Sequence, residues 1–156
     1  MVKVACREQH PVQHPEIDYG GCDIICIRGP PSAEGKERYG AHSSNAVIMS
    51  TGDLDWDVEA SWKGNIDRSP CGSGTSAVMA AMHAKGELSI GEEFVHEGIL
   101  GTVFTGKLLE ETTLANGHPA VIPAITGQAW VTQHSTIVVD PTDPFQKGYT
   151  LRDIWA

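Results

Sequence analysis

Apolar runs along this chain are short, and turn formers separate them. The run "CDIICIRG" (22–29) is apolar and rich in isoleucine, and predicts a buried strand. Glycines and prolines bracket it in "HPEIDYGG" and "RGPPSAEGKE", both of which read as turns. A second strand is predicted at "NAVIMS" (45–50). The polar, acidic stretch "TGDLDWDVEASWKGN" (51–65) then predicts a loop or hairpin excursion, with Trp56 and Trp62 as anchors or as part of a lid or interface. The strongest helix is "SAVMAAMHAK" (76–85), with Ser and Thr at its start and Lys85-Gly86 as its stop. Its side chains are small or apolar all round, with His83 the one interruption, which predicts a helix buried on every face. Four short β-prone segments follow: "EEFVHEGIL", "GTVFTGKLLEE", "PAVIPAITGQAWVT" and "STIVVD". Within the first, His96-Glu97 reads as a charged strand pair. One central helix among about six to eight strands is an α+β arrangement, taken as a single domain over residues 1–156 with a loop-like tail at 141–156.

Composition narrows the partners. Twenty acidic residues against eleven basic ones give a net charge of −9, and no Lys/Arg cluster interrupts that field. Nucleic acid and anionic membranes are therefore excluded as expected partners. No run reaches the roughly 18 apolar residues of a membrane span, and the N-terminus lacks the apolar core of a secretory signal. The four cysteines (Cys6, Cys22, Cys26, Cys71) follow no framework spacing, so reduced thiols in a cytoplasmic protein are expected. His10 and His14 have i, i+4 spacing, but the prolines beside them prevent a helix, and they read as loop histidines. Cys22 and Cys26 fall on one face of a strand and read as buried thiols rather than zinc ligands. No metal site is expected.

One stretch carries chemistry. In "DRSPCGSGTSA" (67–77) a cysteine sits in a glycine-rich turn that runs into the helix. Gly72 and Gly74 allow the backbone to approach a ligand. Amides at a helix start have no intrahelical partner and suit a carboxylate or phosphate, and they stabilise a thiolate at the same place. The pattern of a phosphate loop, with its lysine, is absent. Asp67, four residues before Cys71, adds a carboxylate for a cationic amine. The set suits an amino acid, with Cys71 near the Cα. The alternatives are a cysteine packed beside a structural turn, or a nucleophile, which would need a histidine in reach that the spacing does not supply. His42, just before the second strand, is a candidate for the pocket wall, and His83 reads as a satisfied, partly buried histidine.

The stretch "DRSPCGSGTSA" resembles the second-cysteine motif of the proline racemase family, which includes hydroxyproline 2-epimerases. The resemblance continues through "AAMHAKGELSIGEEFVHEGILGTVFTGKL", "AVIPAITGQAW" and "VVDPTDPFQKGYTL" in the expected order. It implies a diaminopimelate-epimerase-like fold of two pseudo-symmetric lobes, each a strand cage around a central helix. It implies an enzyme without a cofactor, in which two cysteines on opposite faces of proline or hydroxyproline move the Cα proton. Matched by position, Cys71 is one acid/base, Asp67 binds the ring nitrogen, and the amides of Gly72 and Ser73 bind the carboxylate. Ser73 stands where the family commonly has Thr, and Gly98 where it commonly has Ser; Gln133 also departs from the pattern. Retention of Cys71 separates the chain from the related 3-hydroxyproline dehydratases. The partner cysteine, in a motif like Met-Cys-Gly-His, has no counterpart here, since Cys6, Cys22 and Cys26 lie in other contexts. The expectation is a second lobe whose site is completed by a first lobe or second subunit, against which the 141–156 tail packs. Alone it would have weak or no activity.

Overall fold

The computed structural model describes residues 2–9, 24–49, 55–146 and 148. In chain order the elements are α1 (Val2–Gln9), β1 (Ile24–Gly29), α2 (Ala33–Tyr39), β2 (Ser43–Met49), a 3-10 turn (Glu59–Trp62), β3 (Asn65–Ile66), α3 (Gly72–Ala84), β4 (Glu93–Glu97), β5 (Val103–Thr113) and β6 (Pro119–Thr126). The six strands form one sheet in the order β1-β2-β4-β5-β6, with β3 attached to β2. Every pairing is antiparallel except β2 with β4. This is the mixed α+β architecture expected from the run of elements.

The sheet forks at β2. One edge of β2 pairs with β1 along its length, from Ser44 to Met49. Its other edge is shared: β4 pairs at Ser43 and Ser44, and β3 pairs at Ile48 and Met49. Into the gap between them comes the chain leaving β3, where Asp67 N donates to Val47 O at 2.9 Å. The residues that follow, 68–71, lead directly into α3. Ser43, Asn45 and Val47 of β2 are buried, as the two-residue period of a strand with one packed face requires.

Helix α3 starts at Gly72, four residues earlier than the apolar pattern alone indicates, because Cys71 caps it. It ends where Gly86, at φ 73°, turns the chain and Glu87 N donates back to Met82 O at 2.8 Å. Met79 and Met82 join Leu88, Phe94 and Leu108 in the core, with Val78, Val121 and Ile125 packed around them. Each such side chain contributes about 1.5–3 kcal/mol when fully buried. Gly106 is what lets the helix sit down on β5, since a Cβ there would lie 2.5 Å from Met79 Sδ. The opposite face of α3 differs from the expectation of burial all round. Ala77, Ala81 and Ala84 are exposed, because the sheet covers one side only.

Three other readings change. β1 is an edge strand rather than a buried one, with Ile24 and Ile27 exposed. The stretch "RGPPSAEGKE" (28–37), read as turns, instead runs into α2, capped by the Ser32 side chain and closed by Gly40 at φ 65°. "STIVVD" is not a strand: residues 127–140 run without regular structure and are exposed throughout, Ile137 and Val138 almost completely. A β-prone run forms a strand only where a sheet edge meets it, and among the described residues none does.

Candidate functional site

The turn from Asp67 to Cys71 is built by its own side chains. Asp67 Oδ1 accepts from Ser69 N at 2.9 Å and from Ser69 Oγ at 3.0 Å. Ser69 Oγ in turn accepts from Cys71 N at 3.1 Å. Cys71 then adopts φ 63°, the only positive φ at a non-glycine position among the described residues. An L-residue held there costs about 1–3 kcal/mol, a strain that concentrates at functional sites. The twist aims Sγ back along the helix, where it accepts from Gly74 N at 3.3 Å. Gly74 leaves the room: a Cβ there would meet Val47 Cγ2 at 3.3 Å and Cys71 Cβ at 3.4 Å.

On the outward side the turn is open. Gly72 and Ser73 are exposed, and a Cβ at Gly72 would meet nothing within 4 Å. Their amides lie in the first turn of a thirteen-residue helix, where N–H groups lack intrahelical acceptors. Cys71, Asp67, Gly72 and Ser73 are therefore together, as the sequence indicates. A cleft of about 940 Å³ borders the turn, lined by Arg68 and Ser69 with Tyr39, Phe104 and Trp130.

Behind the turn lies a buried polar cluster that sequence reading misses. Asn45 Nδ2 donates to Pro70 O at 2.7 Å, and Thr75 Oγ1 donates to the same carbonyl at 3.1 Å. His96 Nδ1 lies 3.0 Å from Thr75 Oγ1 and 3.4 Å from Asn45 Nδ2. The expected charged strand pair His96-Glu97 does lie on β4, but both residues are buried and the histidine is held neutral. β4 lies inside the sheet, with α3 over one face and α2 over the other, so consecutive side chains are both covered. Burial and, more weakly, the charge of Arg28 lower the His96 pKa to about 4, against a smaller opposing effect of the Ser44 carbonyl. Glu97 instead holds α2: its carboxylate accepts from Ser32 N at 2.7 Å and Ser32 Oγ at 2.6 Å. Gly98 completes the clamp, because a Cβ there would lie 2.9 Å from Pro70 N.

Of the remaining candidates, Cys26 reaches this cluster through Asn45, and the others lie apart from it. His42 is exposed at the start of β2; its Nδ1 accepts from Val95 N at 2.9 Å and its ring stacks on Phe94. Among the described residues no hydrogen bond joins it to the Cys71 turn. Cys26 is half-buried, with Asn45 Nδ2 at 3.7 Å from its sulfur. Burial pushes its thiol up, the Asn45 amide opposes this, and Cys71 and Arg28 add smaller, opposite effects. His83 is half-buried and satisfied, between Leu88 O at 2.9 Å and Glu111 Oε1 at 3.0 Å. Trp56 and Trp62 meet edge to face, and Trp62 Nε1 donates to Asp55 O, so they anchor their loop. His10, His14, Cys22, Lys147 and residues 149–156 lie outside the described residues. Among the described residues, no group of three or more His, Cys, Asp or Glu could hold a metal ion, and no helix is long and apolar enough to cross a membrane.

Fold and site together define an α+β protein whose conspicuous chemical group is a cysteine capping a helix beside a carboxylate. The chain belongs to the proline racemase family, whose sequence model, described as Proline racemase, matches residues 1–150. It is 44% identical over 119 residues to a proline racemase of Clostridioides difficile, covering 72% of this chain and 35% of that protein. It is 42% identical over 149 residues to a 4-hydroxyproline 2-epimerase of Streptosporangium roseum, covering 94% of this chain and 39% of the relative. Among solved structures, a probable proline racemase from Agrobacterium radiobacter K84 with bound carbonate matches at a TM-score of 0.66 and 34% identity. That match covers 99% of this chain and 40% of the other. A hydroxyproline epimerase from Agrobacterium vitis with bound trans-4-hydroxy-L-proline matches at the same TM-score and 31% identity, covering 99% and 39%. The chain thus spans less than half the length of these relatives.

Proposed function

We propose that this chain is one lobe of a cofactor-independent amino-acid racemase or epimerase acting on proline or hydroxyproline. The observation that carries the reading is Cys71 itself: a buried thiol in a strained backbone conformation at a helix start, next to Asp67 and two open amides. The substrate carboxylate binds the Gly72 and Ser73 amides, its ring ammonium meets Asp67, and its Cα lies over Cys71 Sγ. The Cα–H is a very weak acid, so water exclusion and charge neutralisation are needed before a thiolate can take it. In one direction Cys71 as thiolate accepts the Cα proton, leaving a carbanion conjugated with the carboxylate. A second thiol on the other face donates its proton to that carbon and becomes the thiolate, and configuration is inverted. No electrons leave the system, so no redox partner is required. His42 enters this reading as a wall of the pocket.

The second thiol belongs, in this proposal, to a first lobe of the kind that the longer relatives have length for, or to a second subunit. Exposed apolar side chains support an incomplete surface. Trp130, Val131, Ile137, Val138 and Val139 are all exposed in the segment leading to the 141–156 tail, and Phe145 is exposed within the tail. We place the tail against the missing surface and the assembled enzyme in a reducing, cytoplasmic setting, where Cys71 stays a free thiol.

The test is exchange in deuterated water with L-proline and with trans-4-hydroxy-L-proline, with and without a separately expressed first lobe of a relative. Deuterium should enter at Cα only when the added lobe is present. Exchange that persists in Cys71→Ser, or no exchange in any combination, overturns the reading. His42→Ala checks the pocket wall: a raised KM with unchanged kcat supports it, and unchanged kinetics removes His42 from the site.

A further inference from the structure

We propose that His96 is a positioning residue for Cys71, acting through Thr75 on the carbonyl of Pro70, which Asn45 also holds. The inference deepens the reading above, since it matters for function only if Cys71 is the reacting thiol.

The peptide group between Pro70 and Cys71 is held at both ends. Its N–H end donates to Ser69 Oγ, inside the local turn. Its C=O end accepts from Asn45 Nδ2 at 2.7 Å and Thr75 Oγ1 at 3.1 Å, from residues on β2 and α3. A peptide is planar, so fixing both ends fixes the plane from which the φ of Cys71 is measured. That angle is 63°, in a region an unrestrained cysteine leaves. The restraint at the carbonyl is therefore what keeps Sγ against the Gly74 amide.

His96 orders the threonine donor. Its Nδ1 lies 3.0 Å from the Thr75 hydroxyl, with the Asn45 amide farther off at 3.4 Å, and all three side chains are buried. With the proton on Nδ1, the ring donates to Thr75 and the hydroxyl donates on to Pro70 O, which satisfies both Thr75 contacts. Burial keeps the ring neutral, so it can serve as a fixed link rather than a charge. Phe94 holds the ring from the side, with centroids 5.1 Å apart. Gly98, one residue past the end of β4, lets the Ser69–Pro70 backbone lie close, since a Cβ there would come within 2.9 Å of Pro70 N. The strand and the residue after it thus back the turn at two points. His96 does not touch the open side where substrate would bind.

The experiment reads thiol geometry rather than turnover, using the full chain. Iodoacetamide alkylation of Cys71 is followed across roughly pH 5 to 10, with peptide mass spectrometry resolving Cys71 from Cys6, Cys22 and Cys26. His96→Phe keeps bulk and removes the link, while His96→Asn keeps a polar atom near the Nδ1 position. Thr75→Val and Thr75→Ser form a second pair of the same logic. The expected result is an alkylation midpoint raised by about half a pH unit or more in His96→Phe and Thr75→Val, with Asn and Ser restoring most of the shift. Should His96→Phe fail to fold, the threonine pair carries the comparison. Native midpoints in folded His96→Phe and Thr75→Val would overturn the proposal. Cα exchange that survives Cys71→Ser would instead sink the acid/base reading and leave the alkylation comparison intact.

Discussion

Cys71 keeps φ 63° while Asn45 and Thr75 hold the Pro70 carbonyl and Gly98 has no side chain to displace it. The local pattern of Cys, Gly and small residues before an apolar run announces the helix start and its thiol, but not that conformation. Asn45 lies 25 residues from the carbonyl it holds, and no local spacing links the two. Gly98→Ala tests the clamp. The new methyl must displace the Ser69–Pro70 backbone, at a cost of about 1–3 kcal/mol, read as a lower urea midpoint and a changed Cys71 alkylation profile. His96 yields a pH prediction. Its folded pKa of about 4 lies below the unfolded value near 6.5, so the unfolded state binds the proton first. Stability from this residue is complete above about pH 6.5 and is lost progressively as pH falls toward 4, up to about 3 kcal/mol. Urea titrations at the two ends of that window should show a smaller acid loss in His96→Asn than in the native chain.

At the level of elements, the runs that became strands were those rich in β-branched or aromatic residues with a neighbour to pair with. "NAVIMS", "EEFVHE" and "GTVFTGKLL" each met a sheet edge. "STIVVD" has the same composition and no pairing among the described residues, so composition alone could not distinguish it. Helix α2 was announced after all, by Ser32 as cap, two prolines before it and Gly40 after it. Its charged, short interior hid the signal. The buried Glu97 carboxylate that braces it is a contact across 65 residues. Replacing Glu97 by Ala should cost about 1–3 kcal/mol, the net loss of the two hydrogen bonds that Ser32 donates to its carboxylate. Thermal melts monitored at 222 nm (the usual helix wavelength) would record it. Gly106→Ala tests the seat of α3 on β5: the added carbon meets Met79, and a destabilisation of about 1–3 kcal/mol is expected in urea denaturation.

For the molecule as a whole, the described core is small beside the apolar surface left in water. Trp130, Ile137, Val138 and Phe145 expose more than half of their area. Apolar side chains exposed together along one segment mark a surface that another chain covers. Isolated chain should therefore bind a hydrophobic dye such as ANS or self-associate, and a first lobe should suppress both in a one-to-one complex. Dye binding unchanged by the added lobe would show that this surface faces something else.

The fork in the sheet has one more consequence. The Cys71 turn is not held by its own side chains alone: it leans as well on residues 45, 75, 96 and 98, on or next to two strands and a helix. Contacts so distant along the chain form late in folding and break together when any of the three elements detaches. The chemistry of the thiol is thus a readout of the intact lobe. Slow amide exchange at Val95, whose N–H is held by His42, should be lost in step with native Cys71 reactivity as denaturant rises, because both depend on the docking of β4.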